Sequence, residues 1–324
     1  MRTLISAVAV CATVASVGSA PAQTYPTRPI TLIVPYPAGG STDPAGRIMA
    51  ERMRVSLGQP VVVENIAGAN GGIGTGRVAR AASDGYIVGL GLWNTHVANA
   101  ALYALPYDVV SDFEPVSLFV TTPYIIVANK AVLANDLKEL IAWLKATPDK
   151  ASQGSAGVGS GGHLSGILLQ KMTGTRFQHV PYRGSAPALQ DLVAGQVDMM
   201  IDVPAVVLPQ ARAGSIKAYA AAAKSRLSVA PDIPTVDEAG LPGLYFSNWF
   251  AFYVPKGTPK EIIARLNAAV VDALADPAVR SRLTDLGFEI VPREQQTPEA
   301  LAALHKAEIE KWWPIIKAAN LKGE

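Results

Sequence analysis

An α/β protein built as two lobes is what this sequence predicts, on three observations. Short β-branched runs alternate with amphipathic helical stretches, the βαβ pattern that implies parallel strands covered by helices. The length of 324 residues suits two domains at roughly 100–200 residues each. No Ser/Gly-rich or charged linker separates the halves, so the chain is expected to cross between lobes more than once.

The first residues stand apart. "MRTLISAVAVCATVASVGSAPAQ" has Arg2, an apolar run and small residues ending in Ala20-Pro21-Ala22. That layout predicts a secretory signal peptide at 1–22, cut after Ala22. The apolar run is too short for a retained membrane span of about 20 residues. A lipid anchor on Cys11 is the alternative, but "VAVC" is a poor lipobox. Cys11 is the only cysteine, so a mature chain without it has no disulfide and no cysteine-ligated metal. A net charge of +2 gives no field suited to nucleic acid or an anionic membrane surface. Export argues against nucleotide cofactors, which are cytoplasmic reagents.

After the leader, "ITLIVPY" reads as a strand and Pro44 to Leu57 as a helix. Ala45, Ile48, Met49, Met53 and Leu57 share one face at helical spacing. Pro44 suits the first helical position, and Asp43 is placed to cap it. "PVVVEN" is a second strand, "GRVARAA" a helix and "YIVGLGL" a third strand. "YIIVAN" is the next strand. Leu137, Leu140, Ile141 and Leu144 mark one helical face. Leu164, Ile167, Leu168 and Met172 mark another, stopped by Gly174. "FQHVPY" is a strand, followed by a helix from Ser185 to Ala194 with Gly195 at its end. "VDMMID" and "IKAYAAA" are further strands. Thr258-Pro259-Lys260-Glu261 spells a capping box that opens a helix through Ala275, and two more helical stretches follow. The extended segments "PVSLFVTTPYIIV" and "LYFSNWFAFYV" are the expected crossings. They divide the chain into lobe 1 at 23–120 plus 248–324 and lobe 2 at 121–247.

In an open α/β sheet, ligands bind beyond the carboxyl ends of the strands. Helix N-termini there offer free N–H groups and a partial positive charge. Five segments stand in this position. The first runs from Tyr36 through Ala38, Gly39 and Gly40 to Asp43. The second is Trp93, Asn94, Thr95 and His96. The third runs from Ser155 through Gly157, Gly159 and Ser160 to His163. The fourth is Tyr182, Arg183, Gly184 and Ser185, and the fifth is Asp202. Glycines let a ligand approach the backbone closely. "VPYPAGGSTDP" at 34–44 recurs in outline as "VPYRGSAP" at 180–187, so each lobe is expected to present a similar loop. Two readings stand for Asp202: a cap for the helix that follows, or an acceptor for a ligand hydroxyl or ammonium. Arg183 is either a solvated surface residue or a two-pronged partner for a ligand carboxylate. Trp93, Trp249 and Phe250 either line a pocket or fill the core.

Other chemistries fit less well. Gly157, Gly159 and Gly162 satisfy GxGxxG, but no buried strand precedes them, and no acidic residue follows about 20 positions later. No Walker A motif is present. No G-x-S-x-G elbow follows a strand. A secreted hydrolase using Ser155 or Ser160 with His163, and Asp202 completing a triad on paper, is the rival. Ser and His on one loop and helix start rarely point at each other, so an anion cradle is the simpler reading. His96, His163, His179 and His305 lack metal-ligand spacing.

Taken together, "YPTRPITLIVPYPAGGSTDPAGRIMAERM", "VVVENIAGANGGIG", "SDGYIVGLG", "GSAGVGSGGHLSG", "HVPYRGSAPALQDLVAGQVDMMID", "PDIPTVDEAGLPG" and "PKGTPKEIIARLNAAV" resemble the Bug/TctC family. These are periplasmic receptors of tripartite tricarboxylate transporters, and the resemblance covers essentially the whole mature chain. It implies a two-lobed periplasmic-binding-protein (Venus flytrap) fold that closes by a hinge. It implies no enzyme activity and no cofactor. The implied ligand is a small carboxylate: a di- or tricarboxylate, an acidic amino acid or an aromatic acid. The implied partners are the membrane subunits of such a transporter, and the receptor itself is expected to be a monomer. By position, Tyr36, Ala38, Gly39, Gly40 and Asp43 match the first ligand loop, and Asn94, Thr95 and His96 the second. Ser155, Gly157, Gly159, Ser160 and His163 match the second-lobe cradle; Tyr182, Arg183, Gly184, Ser185 and Asp202 match the remaining edge. Trp93 stands where a small polar residue is common, Arg183 where Lys is frequent, and "ANGG" departs from the usual wording. Trp93 and Trp249 together suggest a flat or aromatic acid. Asp43 is expected to shape its loop, since a carboxylate facing an anion would repel it.

Overall fold

The computed structural model describes residues 25–39 and 42–319. The leader, its cut after Ala22, Cys11 and Gly40 lie outside the described residues. The first stretch runs β1 (Ile30–Val34), α1 (Thr42–Leu57), β2 (Val61–Asn65), α2 (Gly72–Ala79), β3 (Ile87–Leu92), α3 (Asn99–Leu102) and β4 (Phe113–Pro123). The middle stretch runs β5 (Ile125–Asn129), α4 (Leu137–Ala146), β6 (Ser152–Ser155), α5 (Gly161–Thr173) and β7 (Gln178–Pro181). It continues with α6 (Ser185–Ala194), β8 (Met199–Asp202), α7 (Pro204–Arg212) and β9 (Ile216–Ala221). The last stretch runs β10 (Ser247–Pro255), α8 (Lys260–Ala275), α9 (Pro277–Asp285), β11 (Glu289–Ile290) and α10 (Pro298–Ala318).

Two sheets form, in the orders β11-β4-β10-β3-β1-β2 and β7-β6-β8-β5-β9. Neither is wholly parallel, as the βαβ pattern alone implied. β1, β2 and β3 run parallel, as do β6, β7 and β8, but β10 and β5 run against their neighbours. The crossings explain this. β4 runs past residue 120 to Pro123, at the edge where Ser247 of β10 pairs with it. Ile125 at the start of β5 pairs with Asp202 and Ala221, the last residues of β8 and β9. A strand that enters a lobe at its carboxyl edge must run away from that edge, hence antiparallel.

Each sheet buries apolar side chains against helices, Leu32, Met49 and Phe252 in the first lobe and Val127, Leu192 and Met200 in the second. A third cluster spans the crossings through Trp93, Tyr124, Phe246 and Trp312. Phe246 meets Trp93, Trp312 and Tyr124 edge to face at 4.9, 5.1 and 4.8 Å between ring centres, geometry that aromatic quadrupoles favour.

Local differences from the sequence reading have local causes. The helix expected over "GRVARAA" begins earlier, at Gly72, because Gly71 at φ 87° turns the chain into it. The Thr258 capping box does not form. Its hydroxyl instead donates to the Pro255 carbonyl at 2.7 Å, closing the turn after β10.

Candidate functional site

The carboxyl edges of the two sheets face each other across the crossings and enclose a cavity of about 280 Å³. Tyr36, Pro37, Thr42, Asn70, Asn94 and the flank of Trp93 line it from the first lobe. Ala156, Ser160 and Gly161 line it from the second, and Tyr124 and Asn248 from the crossings. None of these side chains carries a formal charge, and the starts of α1 and α5 stand in opposite walls.

The first jaw is the loop between β1 and α1. Asp43 is buried in the first turn of α1. Its Oδ2 accepts from the Gly39 N–H at 3.0 Å and from Arg47 Nε at 2.9 Å, and its Oδ1 accepts from Asn65 Nδ2 at 2.9 Å. Burial pushes the Asp43 carboxyl up, but the bonds from Arg47, Gly39 and Asn65 outweigh it and hold it below the ordinary range. Asp43 therefore shapes the loop and is not among the residues that line the cavity. Gly39 adopts φ 78°, a left-handed conformation natural to glycine. Ala38 is exposed on the same turn. The Tyr36 hydroxyl donates to the Asn70 carbonyl at 3.2 Å and accepts from Asn94 Nδ2. Asn70 is braced in turn by Asn99 at 2.9 and 3.0 Å.

The second jaw is the loop between β6 and α5. Ser160 caps α5, its Oγ accepting from the His163 N–H at 3.3 Å. The His163 ring faces away from Ser160's hydroxyl chemistry. Its Nδ1 accepts from the Gly159 N–H at 3.1 Å, and its ring stacks on His179 at 3.6 Å and 5°. His179 Nε2 bonds Ser155 Oγ at 2.7 Å. Burial holds both imidazoles neutral, His163 pushed down to about 3 with added repulsion from His179, and His179 down to about 4. A β-carbon at Gly159, where φ is 75°, would lie 2.2 Å from Leu102 Cδ1 of the opposite lobe. At Gly157, φ is 127° and a β-carbon would meet the Tyr182 carbonyl at 3.2 Å. The two lobes thus touch where the second jaw has no side chain. The hydrolase reading fails on this geometry. Ser160 and His163 meet only through a main-chain N–H, and Ser155, which does bond an imidazole, is fully buried.

The remaining expected residues divide. The Tyr182 hydroxyl donates to Asp191 at 2.6 Å, and burial pushes its ionisation up to about 12. Gly184 turns the chain at φ 108° into α6. Ser185 donates to Asp202 Oδ2 at 2.6 Å, and the Val203 N–H donates to Oδ1 at 2.7 Å. Asp202 thus ties the start of α6 to the start of α7 and does not line the cavity. Burial, against those two bonds, pushes its carboxyl up to about 6. Arg183 is exposed and forms no hydrogen bond or ion pair among the described residues.

Thr95 and His96 are corrected. A wide helical turn at Asn94–Ala98 leads from β3 into α3 where a loop is expected, and it rotates both side chains inward. Thr95 is 0% exposed and accepts from the Leu92 N–H; His96 is 2% exposed and stacks on Tyr253 at 4.1 Å. Trp93 lies at the wall, but its indole N–H donates to Glu308 at 2.7 Å and its ring is edge-packed on Trp312. Trp249 packs beside His96 and His305 and lines no part of the cavity. The pairing of these two tryptophans around a flat ligand is therefore not what the fold builds. Asn70, Tyr124 and Asn248 line the cavity without having been expected to. "ANGG", already set apart by its wording, was the available signal for Asn70.

Comparison with known proteins agrees with this architecture. The family profile described as tripartite tricarboxylate transporter family receptor, TctC, matches residues 45–321. The structure of periplasmic binding protein BugD is 39% identical and superposes with a TM-score of 0.77, over 93% of this chain and 100% of that one. MatC from Rhodopseudomonas palustris, with bound malate, is 41% identical with a TM-score of 0.77, over 90% of this chain and 100% of that one. R. palustris Rpa4515, with adipate, is 34% identical with a TM-score of 0.79, over 92% and 99%. The chain belongs to the TctC family of solute-binding receptors, which are not enzymes.

Proposed function

We propose that this member of the TctC receptors captures a small carboxylate in the periplasm and hands it to the membrane subunits of a tripartite tricarboxylate transporter. The observation that carries the reading is the make-up of the cavity. Its lining side chains are neutral, and the starts of α1 and α5 stand in its walls at Thr42 and at Ser160 and Gly161. A helix start offers unsatisfied N–H groups and a partial positive charge, so an anion is stabilised there without a cationic side chain. The malate and adipate in the two R. palustris structures support a small carboxylate as the ligand class. The signal-peptide pattern of the sequence at 1–22 supports export.

On this reading the halves at 23–120 plus 248–324 and at 121–247 act as jaws. Bending at the crossings closes them, and closure removes water from the ligand, which strengthens each hydrogen bond to it. A thermal-shift screen of the mature chain against aliphatic and aromatic acids tests the ligand class, because a ligand that binds only the folded state raises the melting temperature. Stabilisation by at least one di- or tricarboxylate is expected. A flat response to every carboxylate would overturn the reading. Loss of uptake of the stabilising acid in a strain lacking this gene tests the transport role. Unchanged uptake would reject it.

A further inference from the structure

Two hydroxyls in the cavity wall, on Thr42 and Tyr124, have no hydrogen bond among the described residues. Thr42 belongs to the first jaw, at the start of α1. Tyr124 belongs to neither jaw. It lies between β4 and β5 on the outgoing crossing and is 8% exposed. Its main chain is pinned on both sides: its N–H donates to the Phe246 carbonyl at 3.1 Å, and its carbonyl accepts from the Ala222 N–H at 2.8 Å. Its ring stands edge to face on Phe246, so the hydroxyl is held in place before a ligand arrives. That hydroxyl lies against Gly161, the first residue of α5, where a β-carbon would strike it. Tyr253 and Trp249 also carry unpartnered polar atoms, but theirs are sealed from solvent and the Tyr124 hydroxyl is not. Burial, with Asp202 and Tyr36 nearby, pushes its ionisation up, so it keeps its proton and remains a donor.

Resting on the carboxylate reading above, we propose that Tyr124 is a ligand-binding residue: its hydroxyl and the free N–H groups at the start of α5 together hold one carboxylate of the ligand. The His163 N–H bonds Ser160 Oγ and the Leu164 N–H bonds the Ser160 carbonyl, which leaves the Gly161 and Gly162 N–H groups without an acceptor. A phenol hydroxyl can donate or accept. Accepting from a ligand ammonium would set a cation at the positive end of α5, with no Asp or Glu in the wall to balance it. Donating to a carboxylate oxygen works with the helix start instead of against it. The same contact accounts for glycine at 161, since any side chain there would push the hydroxyl away from α5.

Calorimetric titration with succinate, malate and adipate, comparing the wild type with Tyr124→Phe, tests this. The variant keeps the ring on Phe246 and removes only the hydroxyl, so its unfolding midpoint is expected to stay close to that of the wild type. Each acid that the wild type binds is expected to bind the variant on the order of tenfold more weakly, as for a lost hydrogen bond to a charged group. In protein isotope-labelled at the tyrosine ζ carbons, NMR is expected to show that the same acid shifts one signal that Tyr124→Phe lacks. Equal affinity of variant and wild type would overturn the assignment while leaving the carboxylate reading intact. So would a wild-type spectrum in which no tyrosine signal moves on saturation, whether or not the variant folds. Failure of every acid to bind the wild type would overturn both together.

Discussion

The two jaws hold their loops by opposite means. The first uses charge: Asp43 gathers Gly39, Arg47 and Asn65 around one buried carboxylate. The second uses neutrality: His163 accepts a backbone N–H, stacks on His179, and His179 bonds Ser155. A carboxylate held below its ordinary range keeps its bonds through mild acid. An imidazole that must accept an N–H loses that role once protonated. The same task, presenting a glycine loop to an anion, thus produces one jaw whose stability is indifferent to mild acid and one whose stability declines there, because the unfolded chain's imidazoles take up protons that the folded ones refuse.

The largest way to break this contrast is Asp43→Ala. Three bonds to a charged acceptor vanish and Arg47 loses its partner, so a loss of about 2–3 kcal/mol in denaturant unfolding is expected. An unchanged midpoint would show that the first loop is held by something else. Next is Gly159→Ala. The left-handed conformation alone costs about 1–2 kcal/mol, and the new methyl strikes Leu102. Ligand affinity should fall by on the order of tenfold, and Leu102→Ala in the same chain should recover part of it by removing the clash. No recovery would mean that the lobes do not meet there.

The acid response is a smaller effect and distinguishes the jaws. His163 and His179 titrate at about 3 and about 4, below the ordinary 6.5. Between those values the unfolded chain takes up protons that the folded chain refuses, so stability falls as pH drops from about 6.5 toward 3. Asp202, raised to about 6, acts in the opposite sense, as do Glu289 and Glu308, whose carboxyls burial also raises, but His96 and His305 are lowered by burial alongside His163 and His179. Melting temperature should therefore fall from pH 7 to pH 4. His163→Gln, which retains an acceptor that cannot titrate, should flatten that slope, while Asp43→Asn should leave it. The smallest effect is expected for Arg183→Ala. An exposed arginine without a partner should change ligand affinity by no more than about 0.5 kcal/mol, and a tenfold loss would return Arg183 to the site.

Part of this contrast is legible in the sequence, and the rest is hidden for physical reasons. The span of α6 was readable because a glycine in the left-handed conformation ends it at Gly195. Asp43's structural role followed from charge alone. Thr95 and His96 were misread because the turn after β3 is helical, so the side chains that follow Asn94 rotate away from it into the core. The His163–His179 stack was invisible because the two rings are far apart in sequence. They meet only because β6 and β7 pair in parallel, Gln153 opposite His179. Tyr124 and Asn248 sit beside apolar runs that look like core. Only the antiparallel pairing at the crossings brings them to the cavity floor.

The most direct test of the account is native mass spectrometry of the mature protein as purified, followed by release and identification of what it carries. One small organic acid per chain is expected, recovered chemically unchanged and exchangeable for added dicarboxylate. A chain that stays bare after incubation with the carboxylate panel, or that returns the acid as a reaction product, would contradict it.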